Sequence, residues 1–376
     1  MITGRDPATG RSLTVTVADG RIAAIEDGPA GETAWLSAGL VDLQVNGFAG
    51  HDLNGGGLVP ETVARLASVL RQDGVTSFLP TLITASEASI TAALSAITAA
   101  RAADPLVAHA IPAVHVEGPH ISPEDGPRGA HPRDQVRPPD LAEFDRWQEA
   151  CGGLVGLVTL SPHDDGAPDY IRGLAARGVH VAIGHTDASP AQIAAAVDAG
   201  ARLSTHLGNG IAPMLPRHPN PIWSQLAEDR LTASFIADGH HLPAEVFRAM
   251  LRAKGLDRAV LVSDAAALAG LPPGLYDQPV GGRVELTADG RLGLAGTPLL
   301  AGAARPLKQD VALAIGMAGI SLGGALRLAS ANPGRFAGGR GLLAVGAPAD
   351  LIRFRWVPGD RDLAIDTVMA LGEERP

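Results

Sequence analysis

From Gly39 to Asp264 the chain repeats one pattern: a short apolar run, a loop, then a stretch rich in Ala and Leu at helical spacing. The apolar runs are Gly39–Gly47, Ser77–Leu82, Ile111–Glu117, Gly156–Ser161, Val179–His185, Leu203–His206, Ala233–Asp238 and Ala259–Asp264, with helical stretches such as Ser86–Ala103 and Pro190–Ala199 between most of them. Strands that alternate with helices imply parallel βαβ units. Eight such strands predict a closed (β/α)8 TIM barrel, although counting alone leaves a doubly wound open sheet as an alternative. Of the 376 residues 46% are hydrophobic but only 3% aromatic, so the core has to be built from Ala, Val, Leu and Ile.

The two ends follow a different period. Leu13–Val17 alternates apolar and polar residues and an Asp19-Gly20 turn leads into Arg21–Ile25, the pattern of a β-hairpin. Asp350–Phe354 and Thr367–Leu371 resemble it at the other end. We therefore expect one small β-sandwich module assembled from 1–38 and 340–376, with the main domain, 39–339, inserted between them. The Pro- and Gly-rich stretch Gly270–Gly282 is expected to be an exposed loop after the last barrel strand.

Charge and cysteine content narrow the classes of partner. The formal net charge of −10 argues against nucleic acid or an anionic membrane surface, while a small anionic substrate stays open because local groups decide it. The apolar stretch Val311–Ile320 is too short to span a bilayer, and Met1–Leu13 has no charged-then-apolar leader pattern. A single cysteine, Cys151, allows no intramolecular disulfide and is read as an inert thiol. A cytoplasmic protein is the expectation.

In a barrel the active site lies at the carboxyl ends of the strands. There the sequence places His115-Val116-Glu117-Gly118-Pro119, Gly184-His185-Thr186, Thr205-His206-Leu207 and Ser263-Asp264-Ala265. Two imidazoles and a carboxylate are a common three-ligand set for a catalytic divalent metal, and the remaining Asp is then the general base. Strand one ends Gln44-Val45-Asn46, where many barrel metallohydrolases carry a His-x-His pair for a second metal. Amides are poor ligands beside imidazole, and neither Lys254 nor Lys308 stands at a strand end to be carboxylated as a bridge, so one metal is expected.

These strings, with Gly39-Leu40-Val41-Asp42, Asn46-Gly47, Asn209, Ala237-Asp238-Gly239 and His241, resemble those of the N-acetylglucosamine-6-phosphate deacetylases of the amidohydrolase superfamily, over nearly the whole chain. The resemblance implies Glu117, His185 and His206 as metal ligands and Asp264 as the catalytic aspartate. It implies His241, and His131 in Arg128-Gly129-Ala130-His131, as sugar-binding histidines, and Asn209 and Gly210 as phosphate contacts. Arg217 looks like the arginine that reaches the phosphate, often of the neighbouring subunit, so a homodimer is implied. A Glu-His-His set suits zinc and ferrous iron alike, and zinc is the expectation.

The implied reaction removes the N-acetyl group of N-acetylglucosamine 6-phosphate. Departures from the family pattern fall on the substrate side: Leu207-Gly208-Asn209-Gly210-Ile211 replaces an aromatic residue and Asn-Ala-Met, and His218-Pro219-Asn220 follows Arg217. Ala265–Gly270 lacks the usual threonine and proline. An alternative therefore keeps the mononuclear site and changes the substrate to another N-acyl amino sugar, phosphorylated or not. Trp223 stands near this loop, where it would stack on a sugar or anchor the loop. A rival of another class, a non-catalytic sugar-phosphate sensor, would lack a ligand or the base, and neither is missing.

Overall fold

The computed structural model describes residues 1–278, 282–297 and 299–374. Its centre is an eight-stranded parallel sheet in sequence order: β1 (Leu40–Val45), β2 (Val75–Ile83), β3 (Val114–Glu117), β4 (Val155–Leu160), β5 (His180–Ile183), β6 (Leu203–Ser204), β7 (Thr232–Phe235) and β8 (Ala259–Leu261). The strands are buried on both faces, which is why they are legible as apolar runs rather than alternations. Val41, Leu43, Leu79, Leu157, Ala182, Leu203, Ile236 and Val260 fill the barrel. Phe78, Val116, Val158, Ile183 and Phe235 join the apolar faces of the helices in an outer core.

The sheet closes between β1 and the end of β8. Val45 bridges Ala265 in parallel, the amides of Asn46 and Gly47 donate to the Ala265 carbonyl at 2.9 and 3.0 Å, and the buried Asp42 carboxylate accepts from the Ser263 amide at 3.2 Å. This seam makes the domain a barrel and not an open doubly wound sheet. The helices start where local chemistry predicts. Ser86 caps Glu87–Ala103, and a capping box of Ser189 and Gln192 opens Pro190–Ala199, with proline in the first turn where its missing N–H costs nothing.

Both termini build one continuous seven-stranded sheet, in the order Glu373–Glu374, Ala364–Ala370, Leu351–Arg355, Trp35–Ala38, Ile2–Arg5, Ser12–Ala18 and Arg21–Asp27. It curls on itself: a Cβ on Gly372 would lie 2.5 Å from Val17 Cγ1. Ile2, Val15, Ile22, Leu36, Leu351 and Met369 fill the curl, while Ile352, Phe354 and Val368 of the other face pack into the outer core of the barrel. Gly39 alone separates the sheet from β1, and a side chain there would meet Thr76 Oγ1 at 2.2 Å.

The expected loop Gly270–Gly282 is a correction. Gly274–Gln278 is a strand that pairs antiparallel with Gly282–Leu286, and with Arg291–Leu294 and Leu300–Ala303 it makes a four-stranded sheet; residues 279–281 of that stretch lie outside the described residues. Pro272-Pro273 and Gly281-Gly282 are loop chemistry at the strand's flanks. Its own residues are only half buried, so no apolar period marked it. The sheet is tied to the barrel rim where the Ala266 amide donates to the Ala303 carbonyl at 2.9 Å.

Asp310, on the helix Leu307–Ala318, is fully buried and neither carboxylate oxygen has a hydrogen-bond partner among the described residues. Burial, joined by repulsion from Asp238 and Asp42, holds its pKa well above the ordinary carboxylate range despite Arg305. The folded state then keeps a proton that the unfolded chain loses near pH 4, so this group's contribution to stability falls as pH rises from there. Asp310→Asn is expected to gain on the parent in Tm as pH rises above about 4, by about 2 °C per pH unit while the folded carboxyl keeps its proton. A difference in Tm that does not change with pH contradicts this.

Candidate metal centre and catalytic pocket

Four strand ends deliver the side chains that the sequence singled out. Glu117 is the last residue of β3, and His185, His206 and Asp264 stand just beyond β5, β6 and β8. The last three have φ of 49°, 28° and 49°, half of the six non-glycine residues with positive φ among those described. Such backbone costs on the order of 1–3 kcal/mol per residue and persists where the surrounding structure imposes it. Gly184 before His185 leaves the needed room, since a Cβ there would come within 2.8 Å of Thr159 and Thr205.

The donors converge. His206 Nε2 lies 3.0 Å and His185 Nε2 3.2 Å from Glu117 Oε1, and the two nitrogens are 3.1 Å apart. Protons cannot satisfy all three contacts at once, whereas a cation at ligand distances of about 2.0–2.2 Å with tetrahedral angles places its donors roughly 3.3–3.5 Å apart. Glu117, His185 and His206 thus form a buried group that could hold a metal ion. His185 donates through Nδ1 to the Pro127 carbonyl at 2.8 Å, which leaves Nε2 free as a ligand atom. Burial pushes the Glu117 carboxyl up, but the hydrogen bonds and charges of His185 and His206 outweigh it and hold it well below the usual range.

Asp264 is buried beside this group. Burial first, then repulsion from Glu117, raises its pKa to about 6, against the pull of His206, His241 and the Asn46 side chain. A carboxyl near neutrality can both take and give a proton at working pH. Burial lowers the pKa of His131 to about 3, helped by His185, so its ring is neutral. The Thr84 amide and hydroxyl both lie on His131 Nδ1, at 3.4 and 2.8 Å; with Nδ1 accepting from the amide, Nε2–H is the donor. His241 bonds Asp238 through Nδ1 at 2.7 Å, which turns Nε2 into the free atom. Burial alone would raise the Asp238 carboxyl; contact with His241 brings it to about 2 instead.

These groups line one cavity of about 420 Å³, together with Asn209 and Gly210. Val284, Leu292, Leu300 and Ala301 of the antiparallel sheet, with Leu299 just before its last strand, form an apolar wall beside Gln278. The cavity's lining contains no lysine or arginine among the described residues. Arg217 and His218 are exposed on the loop before the helix Pro221–Ala227, outside that lining, and Trp223 is 55% exposed and lines none of it.

Sequence reasoning missed four contributions. Gln44 and Asn46, read only as poor ligands, donate to Glu117 Oε1 at 2.9 Å and to Asp264 Oδ1 at 2.7 Å. Their spacing of two on a strand was the available signal, since it puts both on one face. Asp238 was not assigned, and the apolar wall lay in a stretch taken for loop. Among the other histidines, His115 is buried on Thr159 Oγ1 at 2.8 Å and the Leu43 carbonyl at 3.1 Å. Because Gln44 orients a carboxylate of the metal group, Gln44→Ala is expected to weaken divalent-metal affinity by about 10- to 100-fold at unchanged fold. Competition with a chelator measures it, and unchanged affinity contradicts the assignment.

The sequence profile of the amidohydrolase family matches residues 35–375. N-acetylglucosamine-6-phosphate deacetylase of Bacillus subtilis (strain 168) is 34% identical over 264 residues, 68% of this chain and 66% of that one. N-acetylgalactosamine-6-phosphate deacetylase of Escherichia coli O157:H7 is 34% identical over 337 residues, 87% of this chain and 85% of that one. Among solved structures, the D267A mutant of N-acetyl-D-glucosamine-6-phosphate deacetylase from Mycobacterium smegmatis, in complex with N-acetyl-D-glucosamine-6-phosphate, superposes with a TM-score of 0.85 at 31% identity, covering 97% of this chain and 94% of that one. With the barrel, the donor group at its rim and these matches in place, the chain belongs to the amidohydrolase family and, within it, to the N-acetylglucosamine-6-phosphate deacetylases.

Proposed function

We propose that this enzyme hydrolyses N-acetylglucosamine 6-phosphate to glucosamine 6-phosphate and acetate, using one divalent metal ion per chain. The observation that carries the reading is the meeting of the Glu117–His185–His206 donor group and the buried Asp264 in one cavity. The names of the relatives agree with it. Glu117, His185 and His206 would hold the ion, which we take to be zinc, a metal that suits this donor set as ferrous iron also does. A divalent cation there supplies Lewis acidity toward water and the amide carbonyl.

The chain's own groups do the rest. Asp264 takes a proton as water attacks the amide carbon and returns it to the nitrogen as the C–N bond breaks; without that proton an amine is a poor leaving group. His131 offers Nε2–H and His241 its free Nε2 to the substrate. Asn209 and the Gly210 backbone would contact the phosphate. The cationic partner would be Arg217 of a second copy, since no lysine or arginine among the described residues lines the cavity of the single chain. Met214, 86% exposed, and Trp223 flank Arg217 as apolar surface for such a homodimer. Cys151 is buried and unpaired, which supports a cytoplasmic setting.

A second reading keeps the chemistry and changes the sugar. It is favoured by the Escherichia coli relative, named for N-acetylgalactosamine 6-phosphate, and by a lining without lysine or arginine among the described residues, which also fits an unphosphorylated N-acyl amino sugar. Assays of the zinc-loaded protein on both 6-phosphates and their unphosphorylated forms separate the readings. Asp264→Asn is expected to lower kcat by about 100- to 10,000-fold. Arg217→Ala is expected to raise KM for the phosphorylated sugar by roughly 10- to 100-fold, the worth of a charge-assisted contact, and to spare the unphosphorylated one. Full activity of Arg217→Ala on the best 6-phosphate contradicts the phosphate assignment.

A further inference from the structure

Asn46 is held at several points. Its amide donates to the Ala265 carbonyl at 2.9 Å, its carbonyl accepts from the Leu53 amide at 3.1 Å, and its Nδ2 donates to Asp264 Oδ1 at 2.7 Å. The facing carboxylate fixes which end of the side-chain amide is which, because two oxygens there would repel. Asn46 Oδ1 is then left buried with no donor among the described residues, on a residue that lines the cavity with Asp264 and the Glu117–His185–His206 group. An unmet acceptor of this kind costs about 1–3 kcal/mol. It sits on the same planar amide as the atom that bonds Asp264, and so beside the carboxyl that has to reach the substrate nitrogen.

We propose that Asn46 contacts the substrate directly, its Oδ1 accepting the N–H of the scissile amide while its Nδ2 holds Asp264 Oδ1. The inference rests on the deacylase reading and adds a residue to it. With Asp264 Oδ1 occupied, Oδ2 is the oxygen that carries the proton taken from water. When the amide carbon becomes tetrahedral, the nitrogen keeps its hydrogen and gains a free lone pair. Anchoring that hydrogen on Asn46 turns the lone pair toward Asp264 Oδ2. The proton then passes to nitrogen, the C–N bonding pair leaves with the amine, and Asp264 returns to carboxylate. Asn46 so determines that the enzyme acts on amides that bear an N–H.

The test uses the zinc-loaded protein, N-acetylglucosamine 6-phosphate (or whichever N-acyl amino sugar it turns over best) and the analogue whose amide N–H is replaced by N–CH3. The parent is expected to favour the N–H substrate in kcat/KM by about 100-fold or more, as sites that bind an N–H reject analogues lacking it. In Asn46→Ala this preference is expected to shrink to within about 10-fold, chiefly through a lower kcat on the N–H substrate, with zinc content and Tm held. Asn46→Ser carries the same test if the alanine variant does not fold. Parent-like preference in the variant overturns the inference alone. A zinc-bearing parent that hydrolyses no N-acyl amino sugar overturns the functional reading and this inference with it.

Discussion

Three donor atoms brought within 3.2 Å of one another inside a barrel rim are the constraint around which the rest is arranged. A buried carboxylate against two imidazoles is a costly assembly unless a cation joins them, because desolvated charge must be compensated. The barrel makes the assembly feasible: each donor comes from a different strand whose position is fixed by packing on both faces. The left-handed backbone at His185, His206 and Asp264 turns those side chains inward, at a cost that the closed sheet and its two cores sustain. The same closure sets Asp264 beside Glu117, and the resulting repulsion together with burial gives it a pKa near neutrality.

The first strand shows how the proposed one-metal site would be completed. Where a second metal would need imidazoles, Gln44 and Asn46 present amide N–H groups, one to the metal carboxylate and one to Asp264. Two carboxylates are thus oriented by two residues, two apart, at the end of a single strand, itself locked to the end of β8 by the Val45–Ala265 bridge. The seam that closes the barrel and the hydrogen bonds that orient the acid groups are parts of one short segment. Disturbing the seam is therefore disturbing the chemistry.

The barrel and its rim were legible because the signals are local. Strands buried on both faces leave apolar runs, and Glu117, His185, His206 and Asp264 stand at or just past their ends, where function in this architecture is concentrated. The antiparallel wall was not legible. Its strand Gly274–Gln278 is half exposed, flanked by proline and glycine, and held by pairing with Gly282–Leu286 rather than by any period of its own. Gln44 and Asn46 were seen, but their partners are 73 and 218 residues away, and only the folded chain brings them together. Asp238 shows the same limit at short range: its bond to His241 depends on a loop geometry that composition does not encode. Arg217 is a case of a third kind, because a single chain holds it away from the cavity.

The account stands on one cation per chain held by Glu117, His185 and His206. The decisive measurement is the metal content of the purified protein after dialysis against zinc at low free concentration, for the parent and for His206→Ala. One zinc per parent chain, lost in the variant, is the result expected. Two zinc ions per parent chain, none, or one retained by His206→Ala with parent-like affinity contradicts it.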